Sequence, residues 1–143
     1  MTRIDFHFNV ADRSAYACRL LRKAARTGAR VAVTAPAEQL AALDRELWAF
    51  EATEFVPHVR LEPGQELPER LRPTPICLLE DATAAPHHEV LLNLGAAAPA
   101  GFESYARLIE IVSTDAADRQ AGRARWKHYA DRGYALEAHE VQS

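Results

Sequence analysis

Short apolar runs alternate with amphipathic segments along this 143-residue chain. The opening stretch, RIDFHFNV, alternates Ile4, Phe6 and Phe8 with polar residues, which is typical of a β-strand. Further strands are predicted at the apolar runs ARVAVTA, ICLLE, EVLLNLG and RLIEIVS. Strands that alternate with helices favour a mostly parallel or mixed sheet with helices on both faces. We therefore expect a single three-layer α/β domain over residues 1–143.

Three segments have the periodicity of helices: residues 14–26, 37–49 and 116–132. In the first, Cys18 and Leu21 share an apolar face, and the opposite face is rich in arginine. Gly28 and Gly133 each follow a predicted helix, where a left-handed residue commonly forms the C-terminal cap. In the third helix we expect the stripe Ala117, Ala121, Ala124 and His128 to lie on the sheet.

Composition and charge narrow the possible functions. Hydrophobic residues make up 48% of the chain, charged residues 26%, and the net charge is −3, an ordinary globular composition that excludes a generally basic nucleic-acid binder. The opening residues contain no apolar run before a small-residue cleavage site, and no stretch approaches about 18 apolar residues. We therefore expect neither a signal peptide nor a membrane span.

The residues that could carry catalysis are few. The first strand-to-helix turn, FNVADRSA, has no glycine, so it matches neither a dinucleotide fingerprint nor a phosphate loop. His87 and His88 lie near Glu80 and Asp81, but adjacent histidines point in different directions, and we interpret this stretch as a solvated loop. Cys18 has the position of an inert buried thiol. We expect no catalytic residues, no cofactor and no metal, and hence a binding protein on an enzyme-like scaffold.

The third predicted helix carries an unusual row of cations. Arg119, Arg123 and Lys127 follow one another at a spacing of four residues, so they stack on one helical face and repel by a few tenths of a kcal/mol per pair. Arginine can hold a carboxylate with two parallel hydrogen bonds, and the adjacent Trp126 can wall an apolar pocket. The pattern predicts a site for an acidic peptide, such as one with a free carboxylate beside a hydrophobic residue. The alternative is a solvated helix face with an incidental tryptophan.

A second unusual stretch is LDRELWAFEATEFVPH, residues 43–58. It concentrates five apolar or ring-bearing residues at the end of a predicted helix and in the segment after it: Trp48, Phe50, Phe55, Val56 and Pro57. If these side chains lie at the surface, they mark a protein interface. If they pack inward, they belong to the core. The pattern leaves both interpretations open.

At these two stretches the chain resembles a known family. LDRELWAFEATEFVPH and RARWKHYADRGYAL are similar to the matching regions of the chi subunit of bacterial DNA polymerase III, and the opening DFHFN, the GARVAV strand and the overall length fit as well. The similarity covers nearly the whole chain, although residues 61–86 differ from the family pattern. It implies a Rossmann-like α/β fold without nucleotide chemistry, in a non-catalytic, cytoplasmic subunit of the replicative polymerase.

The resemblance also implies partners. Chi subunits bridge the clamp loader and single-stranded DNA-binding protein (SSB), whose acidic C-terminal tail ends in a phenylalanine carboxylate. Arg119, Arg123 and Lys127 match the family's basic tail-binding positions, with arginine at 119 where lysine is familiar. Trp126 stands where a tyrosine is familiar, and Val112 matches an apolar pocket position.

Trp48 and Phe55 match the surface that holds psi, the small subunit that links chi to the clamp loader, and Val56 and Pro57 stand beside them. DNA contact is expected only through these partners. Two other classes remain open, a small-molecule or nucleotide-binding α/β protein and a direct single-strand binder that uses Trp126 and the arginines. The net charge of −3 disfavours the last.

Overall fold

The computed structural model describes residues 1–49, 56–71 and 73–142. In these ranges seven strands form one sheet in the order β3-β4-β2-β5-β6-β1-β7, and all paired neighbours are parallel. The strands are β1 (Arg3–Val10), β2 (Val31–Thr34), β3 (His58–Leu61), β4 (Ile76–Leu79), β5 (Val90–Asn93), β6 (Arg107–Ser113) and β7 (Leu136–Glu140). The helices are α1 (Arg13–Thr27), α2 (Ala37–Ala49) and α3 (Ala116–Asp131).

The helices cover both faces of the sheet, which confirms the predicted α/β architecture. On one face, Leu21 of α1 and Leu47 of α2 pack with alternate strand residues such as Val33. On the other, Tyr129 of α3 packs against Phe6 and the remaining strand residues. Two apolar layers, one on each face, therefore hold the helices against the sheet.

Local capping explains where α1 and α3 begin and end. The Asp12 carboxylate accepts a hydrogen bond from the Ala15 amide at 3.1 Å, and Asp115 accepts one from the Asp118 amide at 3.2 Å, so both helices have acidic N-caps. Gly28 and Gly133, with φ of 79° and 82°, follow the helix ends in the left-handed conformation. The three predicted helices agree with the observed ones to within one residue at each end.

Strands β3 and β7 were not predicted, because neither has a strong apolar alternation. Four of the five β7 residues are exposed, and β3 is a four-residue edge strand. Two acidic residues of the predicted strands are fully buried: Asp5 in β1 and Glu110 in β6 are both 0% exposed. Each of these strands has a neighbouring strand on either side, and helices cover both faces of the sheet. Side chains in the middle of β1 or β6 can therefore be shielded from solvent on either face.

The two cysteines are buried free thiols. Burial raises the pKa of Cys18 and of Cys77 to about 11, so both remain protonated at neutral pH. This confirms the inert, apolar position predicted for Cys18. Within the described ranges, no helix combines the length and the apolar character needed to cross a membrane.

Candidate peptide-binding cleft

A cleft of about 430 Å³ lies beside α3 at the carboxyl ends of β1, β6 and β7. We call it the α3 cleft. Its lining is Phe6, Phe8, Asn9, Val112, Ser113, Thr114, Arg119, Gly122, Arg123, Trp126, Ala138 and Glu140. The structure thus brings together four of the five residues predicted for tail binding, from positions as far apart as 112 and 126.

The floor of the α3 cleft forms because α3 approaches β6 closely. A Cβ atom at Gly122 would lie 2.8 Å from Cγ2 of Val112, which is closer than real Cβ atoms approach other atoms. The Trp126 ring packs edge-on against Phe6, with 5.1 Å between ring centroids. Phe6, Val112 and Trp126 therefore supply a continuous apolar surface where α3 meets the sheet.

The cations of the row differ in their surroundings. Arg119 and Arg123 line the cleft, are exposed, and make no ion pair with any described residue. Lys127 does not line it, and its Nζ lies 2.8 Å from Oδ2 of Asp131. The hydrogen bond with Asp131, together with that residue's charge, raises the pKa of Lys127. Two of the three predicted cations therefore face the cleft unpaired, and the third is partly compensated on the surface.

This arrangement can bind an anionic ligand that carries an apolar group. Two guanidinium groups that make no ion pair with a described residue can donate paired hydrogen bonds to carboxylates, while the apolar floor can bury a hydrophobic side chain. Glu140 on β7 is the acidic residue of the lining. Its carboxylate disfavours a ligand carboxylate on that side, so an acidic segment is expected to lie toward α3.

A buried polar network fixes α3 on the sheet. Glu110 accepts hydrogen bonds from Arg125 Nε at 3.0 Å, from the Tyr129 hydroxyl at 2.5 Å and from Asn93 Nδ2 at 3.1 Å. Burial raises the pKa of Glu110, and Arg125 opposes that rise by stabilising the carboxylate. Arg125 Nη1 also donates to the Ala96 carbonyl oxygen at 2.9 Å, which ties α3 to the loop after β5.

The face that α3 turns to the sheet corrects one expectation. Its buried residues are Gly122, Arg125 and Tyr129, not the predicted stripe of small residues. Ala117 and Ala124 are exposed. The prediction followed side-chain size, but the Arg125–Glu110 ion pair and the need for a glycine opposite Val112 set the rotation of the helix.

The candidate partner surface lies at the end of α2. Trp48 is 61% exposed, and its ring lies 5.0 Å from that of His58. Pro57 is partly exposed, but Val56 is only 1% exposed and belongs to the core, which corrects the expectation that Val56 contributes to a surface patch. Phe50 and Phe55 lie outside the described residues.

The histidines at 87 and 88 also differ from expectation. His87 is 8% exposed instead of solvated, and neither ring nitrogen has a hydrogen-bond partner among the described residues. The His88 ring stacks on Tyr105 at 4.4 Å, and its Nδ1 lies 2.8 Å from the Ser104 hydroxyl. The pair therefore packs against neighbouring residues, and its two rings do not form a common site.

A different cluster has the residue types of a metal site. Potential ligand atoms of Asp5, Glu137 and His139 lie within 4.8 Å of one another at the β1–β7 edge. Arg107 Nε already donates to Asp5 at 2.7 Å, and Arg3 Nε lies 3.6 Å from the same carboxylate. These cations compensate the buried carboxylate, so an ion-pair cluster accounts for the arrangement.

Sequence reasoning missed the contribution of β1 and β7 to the α3 cleft. Phe6, Phe8 and Asn9 belong to β1, whereas Ala138 and Glu140 belong to β7. β1 pairs with both β7 and β6, although its paired residues in these strands, for example Arg3 with Arg107 and Ile4 with Leu136, lie more than 100 positions away along the chain. The order of parallel strands was the information needed, and no local pattern carries it.

Two comparisons show which known proteins the chain is similar to. The family model for the DNA polymerase III chi subunit, HolC, matches residues 1–137. The chain is also similar to the DNA polymerase III subunit chi of Pseudomonas aeruginosa strain PAO1. The two are 35% identical over 146 aligned positions, which cover 99% of this chain and 98% of that protein.

Proposed function

This chain belongs to the DNA polymerase III chi subunit family, and we propose that it binds the acidic C-terminal tail of SSB in the α3 cleft. The observation that carries the proposal is the convergence of Arg119 and Arg123, which make no ion pair with a described residue, on one apolar floor. A peptide that ends in a phenylalanine carboxylate offers the complementary groups. The terminal ring packs against Val112 and Trp126, while the carboxylate pairs with Arg123.

The acidic residues that precede the terminal phenylalanine extend along α3. Arg119 holds one of them, and Lys127 contributes at longer range because Asp131 compensates part of its charge. The partly buried Trp126 packs edge-on against Phe6. Its position suits the wall of a pocket for a single anchor more than a platform for successive nucleic-acid bases.

The second half of the proposed role is to bridge SSB and the clamp loader. Trp48 and Pro57 form the described part of a surface for psi or an equivalent subunit. Trp48 lies in the last turn of α2, on the face of the sheet opposite α3, so a partner bound there leaves the α3 cleft accessible. Such a bridge acts in the cytoplasm beside the replicative polymerase and needs no catalytic residue of its own.

The proposal is tested by comigration with SSB in analytical size exclusion. We expect the chain to comigrate with full-length SSB and to elute separately from SSB that lacks its C-terminal tail. An Arg119→Ala/Arg123→Ala variant should elute separately from both, whereas an Arg70→Ala control, changed at an exposed arginine outside the cleft lining, should behave as wild type. Equal comigration with tail-deleted SSB would contradict the proposal.

A further inference from the structure

The positive charge of the chain is concentrated in a second place. Residues 12–30, which include α1, contain six cationic residues and the single acid Asp12, a formal excess of five positive charges. The cations are Arg13, Arg19, Arg22, Lys23, Arg26 and Arg30. Because the whole chain has a net charge of −3, the remainder is strongly acidic, and this segment stands out as a local basic surface.

A cleft of about 370 Å³ lies between this helix and the sheet. We call it the α1 cleft. It combines the cations Arg19, Lys23 and Arg107 with the rings of His7 and Tyr16. The rest of its lining is Leu20, Ala24, Thr27, Ala29, Val31, Val90 and Ile109. No acidic side chain lines it in the part of the chain that the structure describes.

The cations of the α1 cleft are not equally available. Arg107 donates from Nε to buried Asp5 at 2.7 Å, so much of its charge is compensated. Arg19 lies over the Tyr16 ring, with its guanidinium carbon 5.9 Å from the ring centroid. Neither Arg19 nor Lys23 makes an ion pair with a described residue, and the two lie one helical turn apart on the same side of α1.

The α1 cleft and the α3 cleft are separate in the fold. They lie on opposite faces of the sheet, as do the helices that line them. They also lie toward opposite ends of its strands. Val31, Val90 and Arg107 are the first residues of β2, β5 and β6, whereas the α3 cleft contains residues from the carboxyl ends of β1 and β6. A ligand in one cleft therefore leaves the other accessible.

We propose that the α1 cleft binds single-stranded nucleic acid, with backbone phosphates on Arg19 and Lys23 and a base against Tyr16 and His7. Proteins that bind single strands combine a basic groove with aromatic and apolar surface in this way. The guanidinium group matches phosphate geometry, and five of the six cations in residues 12–30 are arginine. Arg19 and Lys23 lie in a cleft whose described lining contains no acidic side chain. This arrangement fits a polymer of regularly repeated negative charge better than a short acidic peptide with one terminal anchor.

Fluorescence anisotropy with a labelled oligothymidylate and no SSB tests the proposal. An Arg19→Glu/Lys23→Glu variant should bind at least about tenfold more weakly than wild type. The matched control, Arg70→Glu/Arg132→Glu, makes the same change in net charge at exposed positions outside the α1 cleft and should stay within about twofold of wild type. Loss of two phosphate contacts should also lower the slope of log affinity against log salt by roughly 1.4.

Controls for folding and for the α3 cleft accompany the titration. An Arg19→Gln/Lys23→Gln variant should show an intermediate loss and the same thermal unfolding midpoint as wild type. An Arg119→Ala/Arg123→Ala variant should bind the oligonucleotide as wild type does. The Arg19→Glu/Lys23→Glu variant should keep its affinity for an SSB-tail peptide, so failure of this proposal and failure of tail binding give different results.

Four outcomes would overturn the proposal. The first is that wild type fails to bind the oligonucleotide. The second is that the matched control loses as much affinity as the Arg19→Glu/Lys23→Glu variant, which would mean that net charge alone explains the loss. If only the Arg119→Ala/Arg123→Ala variant lost affinity for the oligonucleotide, the nucleic-acid site would be the α3 cleft. Binding of polyglutamate that depends on Arg19 and Lys23, without oligonucleotide binding, would assign this face to an acidic protein segment.

Discussion

Gly122 faces Val112 so closely that a Cβ atom at position 122 would lie 2.8 Å from Cγ2 and 3.1 Å from Cγ1 of the valine. The absence of a side chain at Gly122 therefore sets the distance between α3 and β6, and with it the depth of the α3 cleft. The same contact places Val112 at the cleft floor.

Gly122→Ala should destabilise the protein and weaken tail binding. Overpacking costs about 1–3 kcal/mol, and the better helix propensity of alanine recovers about 1 kcal/mol, so we expect a net loss near 1 kcal/mol. Urea unfolding measures the loss in stability. Val112→Ala should cost less in the Gly122→Ala background than in wild type, because it relieves the clash. Additive effects would contradict the contact.

Arg125→Ala and Arg123→Ala should differ sharply in stability, although the two arginines are neighbours in α3. Arg125 has only 2% of its side chain exposed and pairs with fully buried Glu110, so its removal leaves an uncompensated buried charge at a cost of about 3–5 kcal/mol. Arg123 is exposed, and its loss should change stability by no more than about 0.5 kcal/mol. Chemical denaturation of both variants checks the difference. Equal losses would mean that the Glu110 network does not hold α3.

The sequence predicts α3 well but not its rotation. Its acidic N-cap, Asp115, and Gly133 after its end are local signals, and local signals suffice to place helix ends. The face of α3 that meets the sheet depends on Glu110 of β6, and no local pattern in RLIEIVS marks this acidic residue as buried. A pairing between distant residues leaves no trace in the periodicity of either segment.

The candidate site was likewise predictable in part. The four-residue spacing of Arg119 and Arg123 places them on one face of α3 wherever the helix packs. The contribution of β1 and β7 residues to the cleft depends on the order of strands in the sheet. Val56 illustrates the reverse error. It belongs to the same apolar stretch as the exposed Trp48 and is therefore predicted on the same surface, yet it is only 1% exposed. Burial of a single residue outside a regular element has no periodic signal.

Stability should fall as the pH falls from about 7 to about 5, in part through His87. Burial lowers the pKa of His87, and nearby Arg30 lowers it further. In the unfolded chain His87 therefore takes up its proton at a higher pH, near its ordinary pKa of about 6.5, than it does in the folded chain, and this difference favours unfolding as the pH falls. His87→Phe removes this titration, so it should lose less stability than wild type over the same interval. Urea unfolding at both pH values measures this, and an unchanged loss would exclude His87 as a source.

Trp48→Ala should weaken binding to psi or its equivalent by at least about tenfold, because large exposed aromatic residues dominate interface energies. Since Trp48 is 61% exposed, we expect it to cost no more than about 1 kcal/mol in stability. SSB-tail binding should be unchanged. Glu38→Ala, in the first turn of the same helix, is the control. Surface plasmon resonance with the immobilised partner measures the loss, and wild-type affinity for Trp48→Ala would remove this surface from the bridge.

Salt should weaken tail binding, because Arg119 and Arg123 are exposed and their attraction for an acidic peptide is screened. Deleting the terminal phenylalanine of the peptide should weaken binding even at low salt, because Val112 and Trp126 then lose their apolar anchor. A salt series with the two peptides separates the charged contribution from the apolar one. Binding that neither changes with salt nor needs the phenylalanine would not occur in the α3 cleft.

Calorimetric titration with a peptide of the SSB C-terminus tests the central claim most directly. Arg123→Ala should weaken binding at least about tenfold, since removing a charged partner from an interface costs about 2–5 kcal/mol. Lys127→Ala should have a smaller effect, because Lys127 pairs with Asp131 outside the cleft lining. Equal affinities of folded wild type and Arg123→Ala at low salt would contradict the claim that the α3 cleft is the tail site.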